Sequence, residues 1–309
     1  MKTFIETSLL KGINLKNRKW LWYGIYCFAL IIIFLYILFP SEVLKGYMIN
    51  RAGDVYPDLK VKLNDISLSF PVGIQIEGLG ISLEKDPDVI IYNSDNTNIR
   101  PGILSYFAGS RKYYFQSSTM GGNISGYLKN KVDNGKNGIT AKVIFKEIHL
   151  DNRVFIHPVI NRRVEGTARG EINFKGDLAS PVDGDFDVSL ELSKGKLKLL
   201  NPILQLSEIV FDKATLKAEM KNNIMEISSA ELAGNGLKAM ASGTVRLNNN
   251  FLTSRLDLKG EIEFSSTFFK NMPDVGEAVS ALTGGREDGK LSFNLRGTIE
   301  KPRFNLNQG

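Results

Sequence analysis

Between Trp20 and Phe39 the chain runs through twenty residues, WLWYGIYCFALIIIFLYILF, without a charged side chain. As a helix rising ~1.5 Å per residue this stretch covers roughly 30 Å, the thickness of a bilayer's hydrocarbon core. Trp20, Trp22, Tyr23 and Tyr26 crowd its start and Tyr36 lies near its end. Amphipathic rings at the ends of an apolar run form an interfacial belt. A membrane anchor over 20–39 is therefore expected, with Trp20, Trp22, Tyr23, Leu30, Ile33 and Phe39 among the residues that hold it.

The flanks set its orientation. Lys2, Lys11, Lys16, Arg18 and Lys19 precede the run against one acid, Glu6, whereas Lys45 and Arg51 are the nearest bases after it. Excess positive charge stays on the cytoplasmic side, so residues 1–19 are expected in the cytoplasm and everything past Pro40 across the membrane. A cleaved signal peptide is the competing reading. It calls for a shorter apolar region and a small-residue cleavage site, and LFPSEVLKG supplies poor spacing for one.

Composition narrows the remainder. With 43% apolar and 23% charged residues among 309, the chain has the makeup of a folded protein. Its net charge of +6 comes from bases scattered among acids, apart from the cluster before the span. Such a cluster suits a membrane surface, and no nucleic acid is expected as partner. Cys27 is the single cysteine and lies inside the span, so no intramolecular disulfide forms. With only His149 and His157 besides, a His/Cys metal cage is not expected.

Residues 41–56 allow a short amphipathic helix with Leu44, Met48, Ala52 and Val55 near one face, ending before Pro57. From Leu59 the period becomes two. In LKVKLNDISLSF, Leu59, Val61 and Leu63 alternate with polar residues, and Ile66, Leu68 and Phe70 continue in the opposite phase. Ile74 and Ile76, then Leu79, Ile81 and Leu83 after Gly78, repeat the shift. An odd-residue shift means a bulge or a break into two strands. Alternation returns at Val188, Leu190 and Leu192, at Leu216, Ala218 and Met220, and at Leu291, Phe293 and Leu295. Turn signals at DNGKNG (133–138), SKGK (193–196) and LNNNF (247–251) separate such runs.

The fold class expected is therefore mainly β with one N-terminal transmembrane helix. Its sheet is an antiparallel meander, curved and groove-like or sandwich-like, with a few short helices. PGILSYFAG (101–109), with Pro at a first-turn position, is one such helix. STFFKNMPDVGEAVSALTGG (266–285) is another, kinked or divided at Pro273. The parts are a tail (1–19), the span (20–39), a connector (40–57) and two halves of the β region, 58–160 and 161–309, divided where HPVINRRVEG breaks the alternation.

No motif carries chemistry. GGREDGK (284–290) approaches a phosphate-binding loop, but Leu291 stands where Ser or Thr would hold magnesium, and a strand pattern follows where a helix is needed. Asp183, Asp185 and Asp187 have the spacing of a calcium loop, whose twelfth position needs Glu and here is Lys194. His149 and His157 belong to no recognisable triad, and the glycosylation triplet NIS (123–125) has meaning only in a eukaryotic secretory setting. The reading is a non-enzyme without cofactors.

The apolar stripe leaves two readings open. In one, the faces pack together as a closed core. In the other, an open groove shelters an acyl chain or a partner's apolar segment, with Leu68, Phe70, Ile81, Leu190, Phe293 and Leu295 as candidate lining. An octet also recurs, FKGDLASP at 174–181 and LRGTIEKP at 295–302. Its Gly suits a bend and its Pro a turn or an edge. Gly176 and Gly297 are expected at equivalent bends, and Pro181 and Pro302 outside central strand positions.

The order of these pieces resembles a known family. A basic tail and one span lead into YPDLKVKLNDISLSFPVGIQIEGLGISL, then IRPGILSYFAGSRKYYFQSSTMGGNISGYL, VEGTARGEINFKGDLASP, LKAMASGTVRLNNN, SRLDLKGEIEF and LSFNLRGTIEKPRF. The chain over 20–306 resembles the type II secretion system protein N (GspN) family, in a long form with AsmA-like and TamB-like character. The resemblance implies a bacterial inner-membrane component of the type II protein secretion system, whose periplasmic β domain contacts other secretion subunits. The wider AsmA-like group implies an alternative, a lipid-binding or lipid-transfer module using an apolar groove to hold phospholipid acyl chains.

Overall fold

The structure is a computed structural model that describes residues 18–85, 87, 90–107, 109–133, 136–150, 164–177, 180–203, 206–271 and 290–307. The charge-free run forms α1 (Arg18–Ile37), no residue of which is buried from Trp20 to Ile37. Its length and apolarity suit a single membrane anchor. After Pro40, whose missing N–H suits a break between helices, α2 (Ser41–Val55) follows and stops ahead of Pro57.

The described strands after α2 build one sheet. Its strands are β1 (Leu59–Lys62), β2 (Asp65–Leu68), β3 (Ile74–Leu83), β4 (Ile90–Pro101), β5 (Arg111–Thr119), β6 (Gly122–Asp133), β7 (Lys136–Leu150) and β8 (Val164–Gly176). They continue as β9 (Asp185–Ile203), β10 (Leu206–Lys221), β11 (Ile224–Gly234), β12 (Leu237–Arg246), β13 (Arg255–Phe264), β14 (Lys290–Thr298) and β15 (Pro302–Asn307). From β3 onward every strand pairs antiparallel with its sequence neighbours, while β1 and β2 pair in tandem along β3. Two short helices interrupt the meander, α3 (Ile103–Phe107) and α4 (Ser266–Asn271).

The sheet is open, and this bears on the sandwich-like expectation. Each strand makes its substantial contacts with its hydrogen-bonded neighbours, and β1 does not close onto β15. No second sheet packs on the first among the described residues. The sandwich reading is thus overturned, because alternation reports only that a face is apolar and not what covers it.

Both phase shifts near the start have structural causes. Between Leu63 and Ile66 the chain breaks into β1 and β2, with the Asn64 N–H donating to the Glu77 carbonyl. Opposite, Gly78 adopts φ +60° inside β3, and a Cβ there would lie 2.1 Å from the Asn64 side-chain nitrogen. The shift therefore appears once as a break and once as a bulge, and both keep the apolar residues on one face.

Two local expectations need correction. SKGK is not a turn but part of β9, which stays paired to β10 through Phe211↔Gly195 and Ile209↔Leu197. Lys194 takes φ +51° and the Phe211 ring lies where a Cβ on Gly195 would be, 2.3 Å away, so the turn residues make a bulge. Pro101 does not open a helix. It ends β4 opposite Tyr113, and α3 begins two residues later, after the Gly102 N–H bonds to the Lys112 carbonyl. LNNNF does form a connection, closed by a 3-10 turn at Phe251–Thr253. In the second predicted helix α4 covers the start, and Met272 to Gly285 lie outside the described residues. So do the proposed division near residue 160, His157 and most of GGREDGK. The sheet itself is continuous where β7 pairs with β8.

Three apolar clusters lie on the sheet. Leu63, Ile66 and Ile76 are buried under Phe39, Leu44, Met48 and Ile49, which docks α2 onto β1–β3. Val55, placed on the same helix face by periodicity, is exposed. Phe264, Phe268 and Leu291 bring α4 onto the far part of the sheet. Met220, Val245 and Leu247 take Val182 and Phe251 from two 3-10 turns at the opposite strand ends.

Candidate functional site: an apolar sheet face

Directly paired residues in an antiparallel sheet project to the same face, and the side chain two positions along joins them. The pairings can therefore be followed from strand to strand. From Leu68 the row passes through Ile74, Ile99, Phe115, Gly126, Val143 and Ile172. It continues through Val188, Ala218, Ile227, Gly243, Leu258, Leu295 and Phe304. It crosses β2 to β15, and each member is apolar or glycine. At ~4.8 Å between strands it is roughly 60 Å long. That is about four times the ~15 Å half-thickness of a bilayer's hydrocarbon core.

A parallel row runs from Ile66 and Ile76 through Phe145, Leu190, Leu216 and Phe293 to Leu306. Its polar members are Thr97 and Ser117. Bulges hold the phase: Phe145 and Ile148 flank Glu147 at φ +54°, and Ile227 and Ala230 flank a register shift in β11. Along β9 the apolar Val188 and Leu190 are half-buried while Asp187 and Ser189 are exposed. The apolar face is thus the less exposed of the two along this strand.

The predicted lining residues sort clearly. Leu68 and Leu295 belong to the first row, Leu190 and Phe293 to the second. Ile81 pairs with Val61 and Tyr92 beyond the Gly78 bulge, toward the other end of β3. Phe70 lies outside the rows, past the end of β2, and is 75% exposed. Its alternation with Leu68 breaks because the strand stops there. Of the anchor residues, Trp20, Trp22, Tyr23 and Ile33 are exposed on α1 and Leu30 is half-buried, whereas Phe39 follows α1 and packs into the α2 cluster. Gly176 ends β8 opposite Ile139, and Pro181 starts a 3-10 turn. Gly297 has φ +102° and pairs with Pro302, the first residue of the edge strand β15. The two glycines differ in backbone conformation, since only Gly297 occupies positive φ.

Sequence reasoning missed a buried hydroxyl cluster in the floor. Ser94, Thr97 and Ser117 hydrogen-bond in a triangle at 2.7–2.9 Å, and the Tyr92 hydroxyl lies 2.5 Å from Ser117. The Thr119 hydroxyl donates to the Asn93 carbonyl. Ser94 and Thr97 share a face because β4 carries an extra residue between Ser94 and Asn96, an irregularity that spacing alone conceals. Each buried hydroxyl thereby has a partner, as burial requires.

The opposite face is polar and ionic. Lys142 bridges Glu171 at 2.6 Å, Lys290 bridges Glu263 at 2.6 Å, and Arg296 bridges Asp257 at 3.1 Å. Glu191 pairs with both Lys213, at 3.0 Å, and Arg169. The Lys213 and Arg169 hydrogen bonds hold the Glu191 carboxyl below the usual range, as Lys142 does for Glu171 and Lys290 for Glu263. Asp185 and Asp187 belong to this face and Asp183 to the preceding 3-10 turn, so the three predicted acids do not converge. Among the described residues no three His, Cys, Asp or Glu side chains form a metal-binding group.

Comparisons with protein-family models, with curated proteins and with solved structures gave no match.

Proposed function

We propose that the chain is a membrane-anchored, non-enzymatic holder of lipid acyl chains, with the open sheet as an apolar floor. The row from Leu68 to Phe304 carries this reading. Monomeric proteins rarely leave contiguous apolar surface beyond a few hundred Å² in water, and this apolar face crosses fourteen strands with α2, α4 and two 3-10 turns packed on parts of it. Covering it with hydrocarbon gains ~0.8 kcal/mol per buried methylene. The row also begins beside α2, immediately after the span, so lipid leaving the membrane meets the trough at its first strand. The basic tail argues for a cytoplasmic N-terminus and a sheet on the outer side of a bacterial inner membrane.

Photo-crosslinking from within the full-length chain in cells tests this. A benzoylphenylalanine at Val188, in the trough, is expected to yield lipid adducts by mass spectrometry, and one at the neighbouring Ser189, on the ionic face, is not. Absence of lipid at Val188, or equal yields at both positions, rejects the reading.

A second reading has its own support, the outer edge of β15, which no other strand pairs with among the described residues and where Phe304 is 37% exposed. Exposed edges accept an added strand. In keeping with the resemblance to the GspN family, that edge would receive another subunit of a type II secretion system. Loss of secreted-enzyme export on blocking β15, with lipid crosslinking intact, would favour this second reading.

A further inference from the structure

The sheet has two rims, formed by alternate connections, and they differ in an unexpected way. One rim carries the β2–β3 connection, α3 between β4 and β5, the β10–β11 turn and the β12–β13 connection. Farther from the span, the described apolar residues of this rim's 3-10 turns pack inward. Val182 and Phe251 pack on the Met220–Val245–Leu247 cluster, and the β10–β11 turn is Asn222–Asn223. The first two connections do the opposite. Phe70 is 75% exposed, Leu104 84% and Phe107 87%, with Val72, Ile103 and Tyr106 also exposed.

These two connections are neighbours. A Cβ on Gly73 would touch the Ile99 carbonyl and the Arg100 side chain, just ahead of α3. They also lie on the side where α1 arrives. The C-terminal end of α2 joins β1 at Leu59, and Lys45, near its other end, donates to the Asn64 carbonyl beyond β1. The helix thus runs back along the tandem strands, which brings Phe39 and the end of α1 toward Leu68 and the β2–β3 connection.

Charge distinguishes the patch further. No Asp or Glu occurs from Ile66 to Ile76 or from Asn96 to Val132, whereas Arg100, Arg111, Lys112, Lys129 and Lys131 all fall in the second stretch. An apolar tip whose own strands and connections carry bases and, over these stretches, no acid is complementary to the anionic face of a bilayer. We propose that the β2–β3 connection and α3 form a second membrane contact, dipping into the lipid interface beside α1. With α1 they hold the sheet at two points, which sets the opening of the trough against the bilayer. This rests on α1 as the span and not on lipid occupying the trough.

The test uses the full chain reconstituted in vesicles of equal parts phosphatidylcholine and phosphatidylglycerol. An environment-sensitive dye is placed in turn on native Cys27, and on Leu104→Cys, Phe107→Cys and Asn249→Cys in a Cys27→Ser background. Asn249 is an exposed position farther along the same rim. Brominated acyl chains are expected to quench the dye at Cys27, at 104 and at 107, and to leave the dye at 249 bright. Three results overturn the proposal. The first is unquenched dyes at 104 and 107 with Cys27 quenched, which includes shielding from aqueous iodide without bromolipid quenching and so a protein partner. The second is equal quenching at 249, which means the whole rim lies on the membrane. An unquenched Cys27 removes the span, and the proposal fails with it for a separately identifiable reason.

Discussion

Gly78 shows how one residue carries a phase change. Its φ of +60° and the Asn64 side chain 2.1 Å from a would-be Cβ leave no room for substitution. Gly78→Ala is expected to destabilise the α2-capped end of the sheet by about 1–3 kcal/mol, read as a lower urea midpoint in circular dichroism. The glutamates of the ionic face act through charge. The carboxyls of Glu171, Glu191 and Glu263 are held below their ordinary range by Lys142, Lys213 with Arg169, and Lys290. A depressed folded value means that their stabilisation is complete above the unfolded carboxylate range of about 4.3 and is lost as pH falls through the lower folded values. Glu191→Gln is expected to flatten that acid limb relative to wild type in urea midpoints measured from neutral pH downward. The effect is small, because the face is open to solvent.

At the scale of elements, periodicity identified strands well and their ends poorly. The runs at Val188–Leu192, Leu216–Met220 and Leu291–Leu295 all became strands with these residues on one face. SKGK contains good turn residues, yet pairing of β9 to strands on both sides retains it in the sheet. Local turn chemistry lost there to two flanking ladders. α2 was legible from spacing, but its docking depended on Phe39, which hydrophobicity had assigned to the span. The hydroxyl cluster of Ser94, Thr97 and Ser117 was illegible, since the extra residue in β4 has no signature in composition.

At the scale of the whole molecule, the accessible surface of 21480 Å² far exceeds the ~13,000 Å² expected of a compact monomer of this mass. A chain of strands whose main contacts are with their neighbours is close to one-dimensional, so its stability is not uniform. Hydrogen exchange of the full chain is expected to show strongest protection in the long central strands β9 and β10 and weakest in the edge strand β15. Uniform protection from β3 to β15 would contradict the open sheet. The sequence by itself determined a helix long and apolar enough to span a membrane, the antiparallel meander and the presence of an apolar face, because charge-free length and period-two alternation are local properties of the chain. It could not determine whether that face closes on a second layer. Only the tertiary structure decided this, since closure depends on where distant strands lie, and here bulges keep the apolar residues in register along one face on which no second sheet packs among the described residues. The exposure of Phe70, Leu104 and Phe107 was decided at the same level: hydrophobicity alone does not distinguish a residue turned into the sheet from one turned away from it.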